Sequence, residues 1–175
     1  MRVGLRRGTV AVVPHDRGWE MLAEQTNAKL RGILKNAAVD VQHIGSTAIR
    51  GICAKPIIDI AVGVSDFQQV LARNSVLAEN GFIFRNQDFP GQLLYVCGGT
   101  DVRTHHIHVV LYGSDQWNDY INMRDYLNCH AEDAQAYEAL KLLLAKQYPD
   151  DRAAYTEHKS ALIQEILEKA KRWRQ

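Results

Sequence analysis

The sequence predicts a single α/β (α+β) domain: a short mixed β-sheet flanked by helices, with a helical layer at the C-terminal end. Three observations carry this expectation. The run Ile57-Ile58-Asp59-Ile60-Ala61-Val62-Gly63-Val64 is almost continuously apolar and largely β-branched, the pattern of a central strand covered on both faces. Strand-like and helix-spaced runs alternate as far as Leu111, and from Gln116 onward only helical spacing remains. The 175 residues suffice for one buried core, and no repeat or linker divides them, so the expected domain spans residues 1–175.

In chain order, Val10-Ala11-Val12-Val13 reads as a short strand stopped by Pro14. Asp16 then caps a helix whose apolar face holds Trp19, Leu22, Thr26, Leu30 and Ile33. Val39 to Ile44 reads as a strand ending in Gly45-Ser46, and Thr47 to Lys55 as a turn or brief helix. After the central strand, Phe67 to Asn80 is expected as one helix closed by Asn80-Gly81. Phe82 to Arg85 and Leu93 to Cys97 are short strands joined by a polar loop containing Pro90-Gly91. Thr104 to Leu111 is a longer strand carrying histidines, and Gln116–Asn128, Ala131–Tyr148 and Arg152–Arg172 are three helices.

Composition narrows the function classes. The net charge of +1 gives no strong nucleic-acid signal. The basic C-terminal run Lys169 to Arg174 reads as a solvated helix end that complements the helix dipole. Cys53, Cys97 and Cys129 are odd in number and scattered, which suits a reducing compartment. The apolar stretch near the N-terminus is too short for a signal peptide or a membrane span, so a cytoplasmic protein with no membrane partner is expected. No Walker loop, Gly-x-Gly-x-x-Gly or Gly-x-Ser-x-Gly is present.

The chemistry-bearing pattern is a strand, Gly45-Ser46, a gap, then Asp59 within an apolar strand. Glycine lets the backbone approach a phosphate, and amides with the Ser46 hydroxyl can donate to its oxygens. A carboxylate on the next strand can hold a divalent cation that bridges phosphates. The competing reading of Asp59 is a structural ion pair, with Lys55 as partner. In Thr104-His105-His106-Ile107-His108, strand alternation puts His106 and His108 on one face, where they can bind metal, bind phosphate, shuttle protons or hydrogen-bond within the sheet. Asp59 and Ala61 share a face, so a second carboxylate that would complete a two-acid clamp is missing at position 61. His43 immediately precedes the Gly-Ser turn; Arg124, Lys141 and Lys159 are either cleft cations or surface charges.

The block His43-Ile44-Gly45-Ser46-Thr47-Ala48-Ile49, then Gly51, then Ala54-Lys55-Pro56-Ile57-Ile58-Asp59-Ile60, resembles the GrpB family. Trp19, the strand from Arg103 to Val110, Arg124-Asp125-Tyr126-Leu127, and Tyr155 with Lys159 extend the resemblance over almost the whole chain. That family is similar to the nucleotidyltransferase superfamily, whose hallmark is Gly-Ser followed by an Asp-x-Asp or Asp-x-Glu strand. The resemblance implies a nucleotidyltransferase-like sheet. Arg50 departs from the proline usual in the family, and Ala61 from the superfamily's second acid, which the family itself commonly lacks.

The expected function is therefore transfer of a nucleotidyl or phosphoryl group from an NTP to a small acceptor. Asp59, Ser46 and His108 are the catalytic candidates, and His43, Gly45, Ser46, Lys55, Arg124 and Lys159 the substrate and phosphate contacts. Asp59, His106 and His108 are the expected ligands of Mg²⁺ or Mn²⁺. Two other classes compete: a nucleotide- or phosphometabolite-binding module without turnover, and a metal-dependent hydrolase.

Overall fold

The almost continuously apolar strand Ile58–Val64 settles the architecture, because both of its faces need cover. In the computed structural model, which describes residues 2–86 and 90–175, the elements follow the chain in this order. They are β1 (Leu5–Arg6), α1 (Gly18–Leu34), β2 (Ala38–Ile44), β3 (Ile58–Val64), α2 (Phe67–Leu71), α3 (Asn74–Glu79), β4 (Ile83–Asn86), β5 (Gln92–Cys97), β6 (Val102–Arg103) and β7 (His105–Leu111). Four helices close the chain: α4 (Asp115–Cys129), α5 (Ala131–Gln147), α6 (Arg152–His158) and α7 (Ser160–Arg174).

The main sheet has the order β2-β3-β7-β5-β4. Only the β3–β7 pair is parallel; its neighbours run antiparallel, so the sheet is mixed as expected. One face carries Val41, Ile58, Ile60, Val62, Val64, Ile107 and Val109, packed with Trp19, Leu30 and Leu34 of α1 and with Val70 and Leu77 of α2 and α3. On the opposite face Ile44, Ala61 and Val110 meet Trp117 of α4. A third cluster ties Ile49 and Ile52, after the Gly-Ser turn, to Tyr126, Tyr137 and Ile166 of the C-terminal helices. Those helices thus form the expected layer and roof one end of the sheet.

Helix α1 starts where Asp16 Oδ1 accepts the amide of Gly18 at 2.8 Å. Trp19, Thr26 and Leu30 are buried on it as expected, together with Ala23 and Leu34. Several expectations need correction. Val10 to Val13 is no strand: Val13 alone bridges to Ala54, and the amide of Val10 goes to the carbonyl of Pro149 at 2.7 Å, drawing the segment toward the C-terminal layer. Phe67 to Asn80 is two short helices, broken where Arg73 Nη1 donates to the carbonyl of Ile33 at 3.2 Å, at the end of α1. The segment from Arg152 is likewise two helices, with Lys159 at the junction. The β1–β6 ladder was not expected from the sequence; each strand has only two residues. The basic C-terminus is the exposed end of α7 as expected, and in addition Lys171 pairs with Asp119 at 3.2 Å and Arg174 with Asp125 at 2.6 Å. Part of the expected polar loop before Pro90, residues 87–89, lies outside the described residues. Cys53, Cys97 and Cys129 are free thiols.

Candidate functional site

Strand register brings the chemistry together. In the parallel β3–β7 pair Asp59 lies opposite His106 and Ala61 opposite His108. Across the antiparallel β2–β3 pair, Asp59 lies opposite Ile44, the last residue before Gly45. Alternation then points Asp59, His106 and His108 to the face roofed by α4. His106 Nδ1 lies 3.0 Å from Asp59 Oδ1, and His108 Nε2 lies 3.7 Å from the same oxygen. One ligand atom from each of the three residues falls within a 4.8 Å group.

Electrostatics fixes the charge state of the carboxylate. Burial pushes the Asp59 carboxyl up, but hydrogen bonds and charge from His106 and His108 outweigh it and hold the group well below the usual carboxylate range. Tyr120 meets the other side of the His108 ring. Its hydroxyl donates to Gln92 Oε1 at 3.1 Å, so toward His108 Nδ1 at 3.4 Å it can only accept. His108 is thus held between the Tyr120 hydroxyl at Nδ1 and the Asp59 carboxylate, toward which Nε2 turns. Burial pushes the Tyr120 hydroxyl up to about 12, which keeps it protonated for this role.

The Gly-Ser turn closes directly on the carboxylate. Gly45 adopts φ +70°, and a β-carbon there would stand 2.6 Å from Asp59 Oδ2. Ser46 begins a 3₁₀ turn over Ser46–Ala48, and its Oγ donates to the Tyr137 hydroxyl at 3.3 Å. The first amides of such a turn have no partner within it. Gly45, Ser46, Asp59, His108, Arg124 and Lys159 all line one cleft beneath the C-terminal helices. His106 does not line it but braces Asp59 from beside it.

Other candidates sit elsewhere. The ring of His43 faces away from the cleft and meets Thr47 Oγ1 at 2.9 Å. Burial lowers the His43 pKa to about 4. Lys55 Nζ rests 3.7 Å above the centre of the Tyr155 ring, outside the cleft, and forms no ion pair with Asp59. Lys141 is buried and donates to the carbonyl of Cys53 at 2.6 Å. Arg124 is held by Gln42 Oε1 at 2.8 Å and by Asp125 Oδ1 at 2.7 Å, so it borders the cleft already paired. Arg50 reaches the other way, to Glu20 Oε1 at 3.0 Å. Lys159 is the cleft cation without a carboxylate partner among the described residues. Sequence reasoning missed Tyr120 and Tyr137 as site residues, because both fall on helical apolar stripes that read as core.

A sequence profile for the family described as GrpB protein matches residues 9–169. The chain belongs to the GrpB family. It is 39% identical over 171 residues to the glutamate-rich protein GrpB of Alkalihalophilus pseudofirmus, covering 94% of this chain and 98% of the relative. It is 30% identical to YqkA of Bacillus subtilis, covering 94% of this chain but 48% of that one. The crystal structure of GrpB from Enterococcus faecalis superposes with a TM-score of 0.87 at 29% identity, covering 94% of this chain and all (100%) of the other. More distantly, the fold matches the Cid1 poly(U) polymerase, seen in complex with the UTP analogue UMPNPP, with a TM-score of 0.53 at 14% identity. That match covers 77% of this chain and 43% of Cid1, and it establishes a nucleotidyltransferase-like fold for this GrpB chain. Among the described residues, no helix is long and apolar enough to cross a membrane.

Proposed function

We propose that this chain binds a nucleoside triphosphate in the Asp59 cleft and transfers a nucleotidyl or phosphoryl group from it to a small acceptor. The observation that carries the reading is the Gly45-Ser46 turn closed on Asp59 within the Oδ2 contact described above. A phosphate seated on that turn meets its amides and the Ser46 hydroxyl, with Lys159 supplying positive charge from the roof. Attack by an acceptor hydroxyl oxygen forms the new P–O bond, and the bond to the departing phosphate chain breaks. The Asp59–His108 pair borders the cleft and is placed to take the hydroxyl proton.

A divalent cation fits this site, and Asp59, His106 and His108 would hold it. Two imidazoles with one carboxylate suit Mn²⁺ or another first-row ion better than Mg²⁺, which prefers an all-oxygen shell. Bound there, it would offset phosphate charge. It would also occupy Nε2 of His108, and solvent would then take the acceptor's proton.

Titration calorimetry with each of the four NTPs, with Mn²⁺ and then with Mg²⁺, tests the proposal. At least one NTP binds, more tightly with Mn²⁺, and combining Asp59→Ala with Ser46→Ala removes the binding. Absence of NTP binding with either ion rejects it. Ala61 favours a second reading, nucleotide binding without turnover, because its side chain is fully buried beneath Trp117 where a second metal carboxylate would be needed. Binding with no product under any divalent ion selects that reading.

A further inference from the structure

A second group of cations lies beside the cleft and takes no part in the chemistry above. The β1–β6 ladder sets Leu5 opposite Arg103 and Arg6 opposite Val102. The amide of Gly4 bonds to the carbonyl of Pro56 at 2.7 Å, which lays this N-terminal segment over the entrance to β3. A narrow crevice results, lined by Arg6, Arg7, Lys55, Arg103 and Arg152 together with Thr9. Among the described residues no carboxylate lines it and none of the five cations belongs to an ion pair.

Arg103 makes the cluster costly. It is only 8% exposed, and among the described residues its guanidinium makes one hydrogen bond, from Nη1 to the carbonyl of Gly99 at 2.7 Å. A guanidinium has five N–H donors, so most of its capacity is unused. Burial disfavours its charge, and Arg7, Arg85 and Arg152 add repulsion. Like charges gathered without acids are relieved by an anion that several of them can grip at once.

The crevice is also wired to the cleft. Lys159, a cleft residue, places Nζ 4.9 Å from the centre of the Tyr155 ring; Lys55, a crevice residue, contacts the same ring. One aromatic side chain therefore separates the two ammonium groups.

We propose that this crevice is a second phosphate-binding site, in which Arg7, Arg103, Arg152 and Lys55 hold a phosphate or pyrophosphate group. Arg103 and Lys55 form its floor; Arg6, Arg7 and Arg152 are exposed and close over the anion. The crevice itself has room for little more than a water molecule, so the anion sits at its mouth, where the exposed Arg6, Arg7 and Arg152 side chains turn to grip it. The shared chemistry is the phosphate group, whether free or carried as a phosphomonoester on a small acceptor. This inference does not require an NTP in the cleft.

The test uses full-length protein carrying Asp59→Asn and Ser46→Ala, so that the cleft contributes little, with no metal and at fixed ionic strength. Inorganic pyrophosphate, inorganic phosphate and ribose 5-phosphate are titrated by calorimetry, with ribose as the uncharged control. Saturable binding at one site per chain is expected, weakened at least tenfold by Arg7→Gln together with Arg152→Gln. Lys171→Gln, which removes a surface cation elsewhere, leaves it unchanged. Tighter binding of ribose 5-phosphate than of pyrophosphate identifies a phosphorylated acceptor, and the reverse order a free anion; either supports the site. No saturable binding, or binding that survives the double substitution, overturns it. Both substituted arginines are exposed, and a far-ultraviolet spectrum verifies that the fold is intact. Failure of the NTP reading would appear in the separate titration of the unmodified protein.

Discussion

Gly45 shows how a single residue sets the site. Adding a methyl group there produces both an unfavourable positive φ and a collision with the Asp59 carboxylate. Gly45→Ala is expected to cost about 1–3 kcal/mol of backbone strain and to abolish Mn²⁺ binding by displacing the carboxylate. Gly51 has a similar φ of +77° but open space around a β-carbon. Gly51→Ala should therefore pay the strain and keep the metal. Urea denaturation and a Mn²⁺ titration on both variants separate the two costs. His43 offers a pH signature. Burial holds its folded pKa at about 4 against an ordinary 6.5, so protons bind the unfolded chain better. Its contribution is complete above pH 6.5 and is lost as pH falls from there toward 4. His43→Gln should flatten the decline in unfolding free energy across that window; an unchanged slope would assign the decline to other groups.

At the scale of elements, Ala61 bears on the metal site proposed above. It lies opposite His108 in register and packs against Ile44, Val110 and Trp117. Ala61→Asp would bury a carboxylate among apolar side chains and should destabilise the metal-free protein by at least about 2 kcal/mol, measured by denaturation. Recovery of that loss on adding Mg²⁺ would show that the new acid joins Asp59 as a ligand. Much of this element-level picture is legible in the sequence, because alternation is a local property. The shared face of His106 and His108, and that of Asp59 and Ala61, both follow from period two. What sequence cannot supply is non-local. Nothing in His105 to Leu111 announces that it pairs in parallel with Ile58 to Val64 and sets His106 against Asp59. The break between α2 and α3 depends on an arginine reaching a carbonyl forty residues away in sequence. Strands of two residues, such as β1 and β6, are too short to show any period. Tyr120 and Tyr137 looked like core because a helical stripe has the same spacing whether it faces a core or a cleft.

For the whole molecule, the roof over the cleft is held by α7. Ile166 is fully buried between this helix and the Ile49–Tyr137 cluster, while Lys169 reaches Asp133 at 2.8 Å on α5. The exposed ion pairs contribute little individually, so the apolar contacts dominate. Ile166→Ala is expected to cost about 2–5 kcal/mol, and it should weaken ligand binding at the cleft because Lys159 and Ile163 line it from the same helical end. Thermal unfolding with and without NTP and Mn²⁺ reads both effects. Holding the ligand stabilisation constant while the melting point falls would show that the roof and the cleft are uncoupled.

The order of the elements has a consequence for the making of the protein. Gly45, Ser46 and Asp59 lie on neighbouring strands joined by a short connection, whereas Tyr137, Lys159 and Ile163 reach the same cleft from far later in the chain. During synthesis from the N-terminus, the hairpin that presents Asp59 leaves the ribosome well before its cover. A nascent chain carries the acid and the Gly-Ser turn open to water until α7 emerges and docks. Under the proposed function, ligand capture waits until Lys159 and Ile163 have been made, and a chain interrupted before Lys159 holds the Asp59 carboxylate with neither lysine nor roof.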